Sequence, residues 1–175
     1  MKKTGAFAGK FLPPHIGHAY SIREAAEKCD KLYVVLAEDP KRCKELCQEA
    51  SLPSLQAFLR ISWLKKHLED VKNIEFLYFD ETGIPPFPNG LKEWTEKFWQ
   101  IVPKNVNMKF ADETYRDLNE KYFPNCTFVP FNRTIIPISS TMIRGNLAKY
   151  YTYLLPCSKP FFKEILTKKG IKDYE

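Results

Sequence analysis

The 175-residue sequence lacks long apolar runs and paired-cysteine motifs. No stretch approaches the length that spans a membrane, and the apolar residues between Met1 and Lys10 are too few for the core of a signal peptide. The five cysteines are odd in number and none is in C-x-x-C spacing, which argues against a zinc ribbon and against a disulfide framework. These absences predict a cytoplasmic protein with no membrane partner.

The composition is that of a folded protein with an anionic partner. Hydrophobic residues make up 44% and aromatic residues 14% of the chain, which excludes disorder, and the length suits a single domain over residues 1–175. The formal net charge is +6. Because the basic residues are spread along the chain and not clustered, this excess favours nucleotides over nucleic acid as partners.

Alternating apolar runs and helical patterns predict the fold. Strands are predicted at residues 4–8, 32–37, 74–79, 106–111 and 127–130. Helices are predicted at residues 18–29, 53–71, 91–101, 112–122, 141–151 and 159–169, while residues 38–51 form either a loop or a short exposed helix. This order predicts an α/β, Rossmann-like fold: a parallel five-stranded sheet with helices on both faces and a helical C-terminal end.

A glycine-bounded loop follows the first predicted strand. It reads Gly9-Lys10-Phe11-Leu12-Pro13-Pro14-His15-Ile16-Gly17-His18 and leads into the first helix. The free N–H groups at the start of a helix favour an anion such as a phosphate, and the lysine and two histidines strengthen that preference. The alternative is an ordinary turn with exposed histidines, because H-x-G-H also recurs by chance.

A second motif follows a later apolar run. It reads Ile138-Ser139-Ser140-Thr141-Met142-Ile143-Arg144. Its hydroxyl groups can cap the next helix and can also donate to phosphate oxygens, with Arg144 one turn inside that helix. Taken alone, the stretch is explained by a helix cap. As a pair, the two motifs resemble those of the H-x-G-H nucleotidyltransferase superfamily.

Residues 80–90 (DETGIPPFPNG) form the third notable stretch, with two glycines and three prolines. So many glycines and prolines after a strand predict a loop of defined shape, and substrate pockets are commonly built from such loops. The alternative is a loop that only connects two elements. The next predicted helix carries Trp94 on one apolar stripe with Phe98 and Ile101. Core packing and ligand stacking are therefore both open for Trp94.

Within that superfamily the chain resembles the nicotinamide mononucleotide (NMN) adenylyltransferase domain of NadR-type proteins. The resemblance covers nearly the whole chain and includes Arg133-Thr134 before the second motif and Pro160-Phe161-Phe162 near the end. The part of the resemblance that is most specific to NadR-type proteins is the loop of residues 80–90 and the start of the next helix, with Gly83-Ile84-Pro85, Pro88-Asn89-Gly90 and Trp94. The resemblance implies transfer of AMP from ATP to NMN, giving NAD and pyrophosphate.

The resemblance also implies a role for each site residue. The catalytic residues would be His15, His18, Lys10 and Arg144, which neutralise phosphate charge in an in-line displacement. ATP would be bound by Gly9, Phe11, Gly17, Ser139, Ser140, Thr141 and Arg133. NMN would be bound by Gly83, Ile84, Pro85, Asn89 and Trp94, with backbone near Ile84 reading the carboxamide. Mg²⁺ would arrive on ATP, held by phosphate and water, so no metal site made by protein alone is expected.

The sequence departs from the NadR pattern in two respects. No P-loop motif G-x-x-x-x-G-K-[ST] occurs and few residues precede the first strand, so neither a kinase domain nor a helix-turn-helix domain is expected within residues 1–175. In addition, Asn132 stands where family members commonly place an aspartate before the Arg-Thr pair. That substitution leaves one contact of the family open.

Several alternatives stay open. Phosphopantetheine adenylyltransferases and cytidylyltransferases share both motifs but do not account for the loop of residues 80–90. A class I aminoacyl-tRNA synthetase fragment shares His-Ile-Gly-His, but the chain lacks a K-M-S-K-S-like loop. A non-catalytic NMN or NAD sensor would not need Lys10, His15, His18 and Arg144 intact. The choice between NMN and its deaminated form, and whether the protein is a homo-oligomer, are left open.

Overall fold

One sheet of five parallel strands organises the computed structural model, which describes residues 2–174. The strands are β1 (Thr4–Gly9), β2 (Lys31–Glu38), β3 (Ile74–Asp80), β4 (Met108–Asp112) and β5 (Thr127–Phe131). Their order is β3-β2-β1-β4-β5, so β1 pairs with β2 on one side and with β4 on the other. Open α/β sheets bind ligands at the carboxyl ends of the strands that flank such a switch point.

Seven α-helices lie within residues 2–174. They are α1 (Ile16–Glu27), α2 (Pro40–Glu49), α3 (Ala57–His67), α4 (Leu91–Ile101), α5 (Arg116–Tyr122), α6 (Ser140–Gly145) and α7 (Lys159–Lys168). Among those residues, no helix combines the length and the apolar character needed to cross a membrane.

Both faces of the sheet are buried, because successive side chains of each strand point to opposite sides. Phe7 and Val34 contribute to one core, together with Ile22 of α1, Leu64 of α3 and Phe162 of α7. The neighbouring residues Ala6 and Val35 contribute to a second core, with Phe98 of α4 and Phe123. The predicted fold, a parallel five-stranded sheet with helices on both faces, is confirmed.

The helix limits agree with the sequence prediction in part. Helix α4 has the predicted limits, and α7 ends one residue before its predicted end. Helix α3 begins at Ala57 and not at Pro53, because Leu52 and Leu55 are buried in a non-helical segment that precedes it. The predicted start of this helix was therefore wrong.

Two further stretches bear on the prediction. In residues 38–51 the short exposed helix is the correct one of the two alternatives: α2 lies there and buries only Cys43 and Cys47. The helix predicted over residues 141–151 ends at Gly145, because Asn146 adopts φ −154° and ψ 84°, outside the helical region. Helix α6 is consequently a short element of six residues.

Candidate active site

Hydrogen bonds join the two motifs into one wall. Ser140 Oγ donates to the carbonyl of Pro13 at 2.9 Å, and Arg144 Nη1 donates to the carbonyl of Leu12 at 2.5 Å. Ser139 Oγ accepts the N–H of Met142 at 3.2 Å and so caps α6. The hydroxyls of Ser139 and Ser140 therefore serve the helix cap and the junction between motifs, as well as facing the space between them.

That space is a cavity of about 420 Å³ at the carboxyl end of β1, called here the motif cavity. All eleven residues predicted as catalytic or ATP-binding lie in its lining: Gly9, Lys10, Phe11, His15, Gly17, His18, Arg133, Ser139, Ser140, Thr141 and Arg144. The structure thus brings together residues that are more than 120 positions apart in the chain. Their individual roles remain predictions.

The two histidines cap α1 by reciprocal hydrogen bonds. His15 Nδ1 accepts the N–H of His18, and His18 Nδ1 accepts the N–H of His15, both at 3.3 Å. The rings stack with centroids 3.6 Å apart. Since each Nδ1 accepts a hydrogen bond, we assign the proton of each neutral ring to Nε2. The alternative of an ordinary turn with exposed histidines is therefore wrong for His15, which is buried, and the reciprocal cap leaves one donor on each ring for a ligand.

Burial keeps both histidines neutral. Desolvation, followed by the positive charge of Arg133, lowers the pKa of His15 to about 3. Desolvation, with further contributions from His15 and Arg133, holds the pKa of His18 well below its usual value. His15 is 3% exposed, and its Nε2 has no hydrogen-bond partner within residues 2–174. The structure thus contains a buried N–H donor that points to a missing acceptor.

Gly9 and Phe11 together determine the shape of the loop that follows β1. Phe11 has φ 51°, a left-handed conformation that is costly for a residue with a side chain, and its ring is almost fully buried. The ring edge packs against His18 with centroids 5.0 Å apart. A Cβ added at Gly9 would lie 2.7 Å from the Phe11 ring, so only glycine fits there.

A buried ion pair holds the backbone of Lys10. The guanidinium of Arg60 on α3 is fully buried and pairs with Glu38 at the end of β2, and its Nη1 donates to the carbonyl of Lys10 at 2.5 Å. Tyr78 Oη donates to the other oxygen of Glu38 at 3.4 Å. Lys10 itself is exposed and lines the motif cavity. The Arg60–Glu38 pair therefore fixes the start of the loop whose later part contains the histidines.

A second cavity, of about 350 Å³, is lined in part by residues at the carboxyl ends of β1 and β4 and is called here the aromatic cavity. Ring side chains form much of its wall: Phe87, Trp94, Phe110, Tyr115, Tyr122 and Phe123. Its size and its mainly apolar lining suit a small ring-bearing ligand.

Three of the five residues predicted to bind NMN, namely Ile84, Pro85 and Trp94, line the aromatic cavity, whereas its lining does not include Gly83 or Asn89. The N–H of Ile84 donates to the carbonyl of Glu81 at 2.9 Å, so it is already used inside the loop. An added Cβ at Gly90 would collide with the carbonyl oxygen of Pro85. The loop thus has the defined shape that its composition predicts, and Gly90 is necessary for it.

Trp94 belongs both to the core and to the cavity wall. Its ring stacks on Phe98 with centroids 5.2 Å apart and meets Phe79 edge-on at 5.0 Å. Its Nε1 donates to Glu81 Oε1 at 2.7 Å, which ties α4 to the loop after β3. The two explanations of Trp94 therefore do not exclude each other.

The aromatic cavity contains residues that the sequence analysis did not single out. Lys109 of β4 and Tyr115, Asn119 and Tyr122 around α5 all line it. In the sequence, the residues around α5 show only the pattern of a short helix, which does not indicate a binding site. Lys109 did give one, because a lysine inside an apolar strand-length run is unusual.

The two cavities adjoin at the switch point of the sheet. Ala8, Gly9, Tyr115 and Arg133 line both of them. Arg133 is anchored there by an ion pair with Asp112, with Nε and Oδ2 2.8 Å apart, although its side chain is 61% exposed. A ligand in one cavity can therefore reach a ligand in the other beside Gly9 and Arg133.

Comparison with known proteins places the chain in a family. Residues 6–146 match the cytidylyltransferase-like family, and the chain belongs to it. The solved structure of a NadR protein in complex with NR shares the fold, with a TM-score of 0.68 at 24% identity, over 88% of this chain and 43% of that one.

Two curated relatives extend the comparison. The chain is 29% identical over 171 residues to the trifunctional NAD biosynthesis/regulator protein NadR of Escherichia coli, covering 93% of this chain and 41% of the relative. It is 35% identical over 177 residues to the phosphopantetheine adenylyltransferase of Petrotoga mobilis, covering 95% of this chain and 98% of the relative. The chain thus spans about two fifths of the NadR protein that it matches.

Proposed function

We propose that this chain is an adenylyltransferase that transfers AMP from ATP to a pyridine mononucleotide, either NMN or its deaminated form, and releases pyrophosphate. With NMN the product is NAD. The observation that carries the proposal is the junction of the two cavities at Gly9 and Arg133. One cavity offers phosphate-binding donors and the other an aromatic enclosure, so the two substrates would meet at their phosphates.

The reaction is a single in-line displacement. A phosphate oxygen of the mononucleotide attacks the α-phosphorus of ATP and forms the new P–O bond, while the bond from that phosphorus to the α–β bridging oxygen breaks. The electron pair of the broken bond leaves with pyrophosphate. Positioning and charge neutralisation carry such a reaction, since no covalent enzyme intermediate is needed.

The histidines are suited to act as neutral donors. Because Nδ1 of each ring is held by a backbone N–H, the orientation of each ring is fixed in the lining of the motif cavity, and Nε2–H is the donor that remains for a ligand. Negative charge moves toward the β-phosphate as pyrophosphate departs, and fixed donors stabilise that charge without reorganising. His15 Nε2, which has no partner within residues 2–174, would gain its acceptor from the triphosphate.

The cations divide between the two substrates. Lys10 and Arg144 line only the motif cavity and would hold phosphates of ATP, together with Ser139, Ser140 and Thr141. Arg133 lines both cavities, so it would contact ATP and stand beside the phosphate of the acceptor. The phosphates would thus be surrounded by positive charge where they react.

Magnesium enters the proposal with ATP. Within residues 2–174 no group of three His, Cys, Asp or Glu side chains is placed to hold a metal ion, and Asp112 is engaged by Arg133 and Thr114. This donor set fits an ion carried by the triphosphate, with water completing its coordination. Its chemistry there is to neutralise phosphate charge.

The direct test supplies the purified protein with ATP, Mg²⁺ and one acceptor at a time, with release of pyrophosphate as the readout. We expect turnover with NMN or nicotinate mononucleotide and formation of the corresponding dinucleotide. Binding of a mononucleotide without pyrophosphate release would indicate the non-catalytic sensor instead.

A second candidate is adenylyl transfer to phosphopantetheine, which is favoured by the 35% identity to the Petrotoga mobilis enzyme over nearly its full length. The same experiment separates the two candidates. Turnover with phosphopantetheine and none with either pyridine mononucleotide would contradict our proposal and establish this one.

A further inference from the structure

Lys109 is a buried lysine that the proposed reaction does not use. It is the second residue of β4, and it is only 4% exposed. It lines the aromatic cavity and not the motif cavity, unlike Arg133, which lines both. Lysine is rarely buried to this extent without a partner, so its position calls for an explanation.

Three aromatic rings surround the ammonium group. Lys109 Nζ lies 4.7 Å from the ring centroid of Phe98, 4.9 Å from that of Phe123 and 5.5 Å from that of Trp94. The faces of such rings attract a cation, but they do not replace a hydrogen-bond acceptor or a counter-ion. Among residues 2–174 Lys109 has no hydrogen-bond or ion-pair partner, and its Nζ is not one of the fully buried unpartnered nitrogens, which are His15 Nε2 and Arg60 Nε, so the ammonium reaches the space of the cavity that it lines.

The charged groups around Lys109 leave it uncompensated. Among the described residues, Cys126 is the titratable group that acts on the pKa of Lys109, and burial raises the pKa of that thiol, so it is neutral. Burial also lowers the pKa of Lys109 to about 8, a value at which the amine is still mainly protonated at pH 7. Without a ligand, the protein thus keeps a positive charge in the lining of the aromatic cavity.

The whole lining has the same sign. Lys109 and Arg133 are the charged residues among the described residues that line the aromatic cavity, and no aspartate or glutamate is included there. At the junction with the motif cavity a phosphate fits beside Arg133, which also pairs with Asp112. Lys109, among the rings, has no such partner, so a ligand with a second anionic group at that position complements the lining.

We propose that Lys109 is a specificity-determining residue that pairs with the carboxylate of a pyridine-3-carboxylate ring, so that nicotinate mononucleotide is the preferred acceptor over NMN. This inference rests on the proposed function. Both nucleotides carry a cationic pyridinium ring, so the substituent decides: the neutral carboxamide of NMN supplies no counter-ion to Lys109, whereas the carboxylate of nicotinate mononucleotide does. Of the backbone groups near Ile84 that were expected to read a carboxamide, the N–H of Ile84 itself is already used inside the loop.

The test compares binding of nicotinate mononucleotide and NMN by calorimetry, without ATP, and then kcat/KM for each. We expect the wild-type protein to favour nicotinate mononucleotide by about 10- to 100-fold, the range of one hydrogen bond to a charged group. Lys109→Met, which keeps the length and removes the charge, should bring the ratio near one, with the KM for ATP little changed.

Lys97→Met is the matched control. Lys97 also lies over an aromatic ring, with Nζ 5.7 Å from the centroid of Phe79, but it does not line the aromatic cavity and it donates to the carbonyl of Asp80. This variant should keep the wild-type preference. A wild-type protein that does not favour nicotinate mononucleotide overturns the inference even if Lys109→Met does not fold.

Three results would overturn the inference. One is a wild-type protein that binds NMN as well as or better than nicotinate mononucleotide. Another is a preference for nicotinate mononucleotide that Lys109→Met leaves unchanged, which would mean that Lys109 packs in the core and does not contact the substrate. If neither nucleotide binds or reacts, the proposed function fails, and the inference fails with it; this result differs from the other two.

Discussion

The motif cavity and the aromatic cavity meet at Gly9 but are built in different ways. The motif cavity draws its polar groups from two continuous motifs, which hydrogen bonds from Ser140 and Arg144 hold together. The aromatic cavity is assembled from the loop after β3, from α4, β4 and the region of α5. The comparison suggests that the family chemistry lies in the first cavity and that the choice of acceptor lies in the second.

The largest effect is expected where the loop of the motif cavity is anchored. Arg60→Met would leave Glu38 buried without its counter-charge, so we expect a loss of about 3–5 kcal/mol in the free energy of unfolding. Urea denaturation measures it. The double variant Arg60→Met with Glu38→Met should recover much of the loss, because no buried charge remains.

Arg23→Met is the control for this prediction. It removes an exposed ion pair with Asp70, in which the side chains are 36% and 64% exposed, so it should cost at most about 1 kcal/mol. Equal losses in Arg60→Met and Arg23→Met would show that the buried pair does not anchor the loop.

The next effect separates the catalytic role of His18 from its role in the helix cap. His18→Ala should lower kcat by about 10²–10³-fold, the cost of one transition-state donor, while calorimetry shows little change in ATP binding. His67→Ala, on α3 and outside both cavities, should keep wild-type turnover. A His18→Ala protein that melts earlier yet turns over normally would leave His18 with the cap alone.

The sequence predicted the fold well where apolar runs decide it. All five strands were identified. The signal is strongest in β2, a continuous apolar run that is mostly buried, and weakest in β5, which has no buried residue and contains Pro130. The start of α3 was wrong because Leu55 has the right spacing for the helix but packs before it begins. Helix α6 was predicted too long because Gly145 and Asn146, both weak helix formers, end it, and Asn146 adopts a non-helical backbone.

The same contrast holds for the two cavities. Phosphate binding requires particular residue types at close spacing, so the two motifs predicted most of the polar side chains that line the motif cavity, whereas Tyr20, Leu46 and Tyr115 of the same lining were not predicted. In the aromatic cavity, Tyr115 and Phe123 occur in patterns typical of any packed helix, and only the fold brings them beside Trp94. Lys109 was visible in the sequence, but its ring of aromatic neighbours was not.

A smaller effect tests whether the aromatic cavity binds the acceptor. Trp94→Ala should raise the KM for the mononucleotide several-fold, a loss of about 1–2 kcal/mol, without changing the KM for ATP. Because Trp94 also packs on Phe98 and Phe79, the melting temperature should fall as well.

Trp99→Ala separates these two effects of Trp94. Trp99 lies on the same helix and packs against Phe98 and Phe123, but it does not line the aromatic cavity. It should lower the melting temperature and leave the KM for the mononucleotide unchanged. Equal KM values in wild type and Trp94→Ala would mean that Trp94 only holds the core.

The last prediction concerns the pH dependence of the motif cavity. The pKa values of His15 and His18 are lowered by burial and by Arg133, so both rings should stay neutral between pH 5 and pH 8 in the folded protein. NMR of the imidazole nitrogens should show neither ring titrating in that range, whereas in urea both should titrate near pH 6.5. A titration near pH 6.5 in the folded protein would contradict the donor roles assigned to the neutral rings.

The same pKa shifts set the sign of a stability change. Below pH 6.5 the unfolded chain binds protons on these histidines that the folded protein does not, so the free energy of unfolding should fall as the pH drops from about 6.5 toward about 3. The slope from each histidine can reach at most about 1.4 kcal/mol per pH unit. His15→Gln should reduce the slope by its share, and so should His67→Ala by a smaller share, since the pKa of His67 is lowered by burial too. If His15→Gln left the slope unchanged, His15 would have to be protonated in the folded protein as it is in the unfolded chain. Its Nε2–H would then belong to an imidazolium cation and not to a neutral donor.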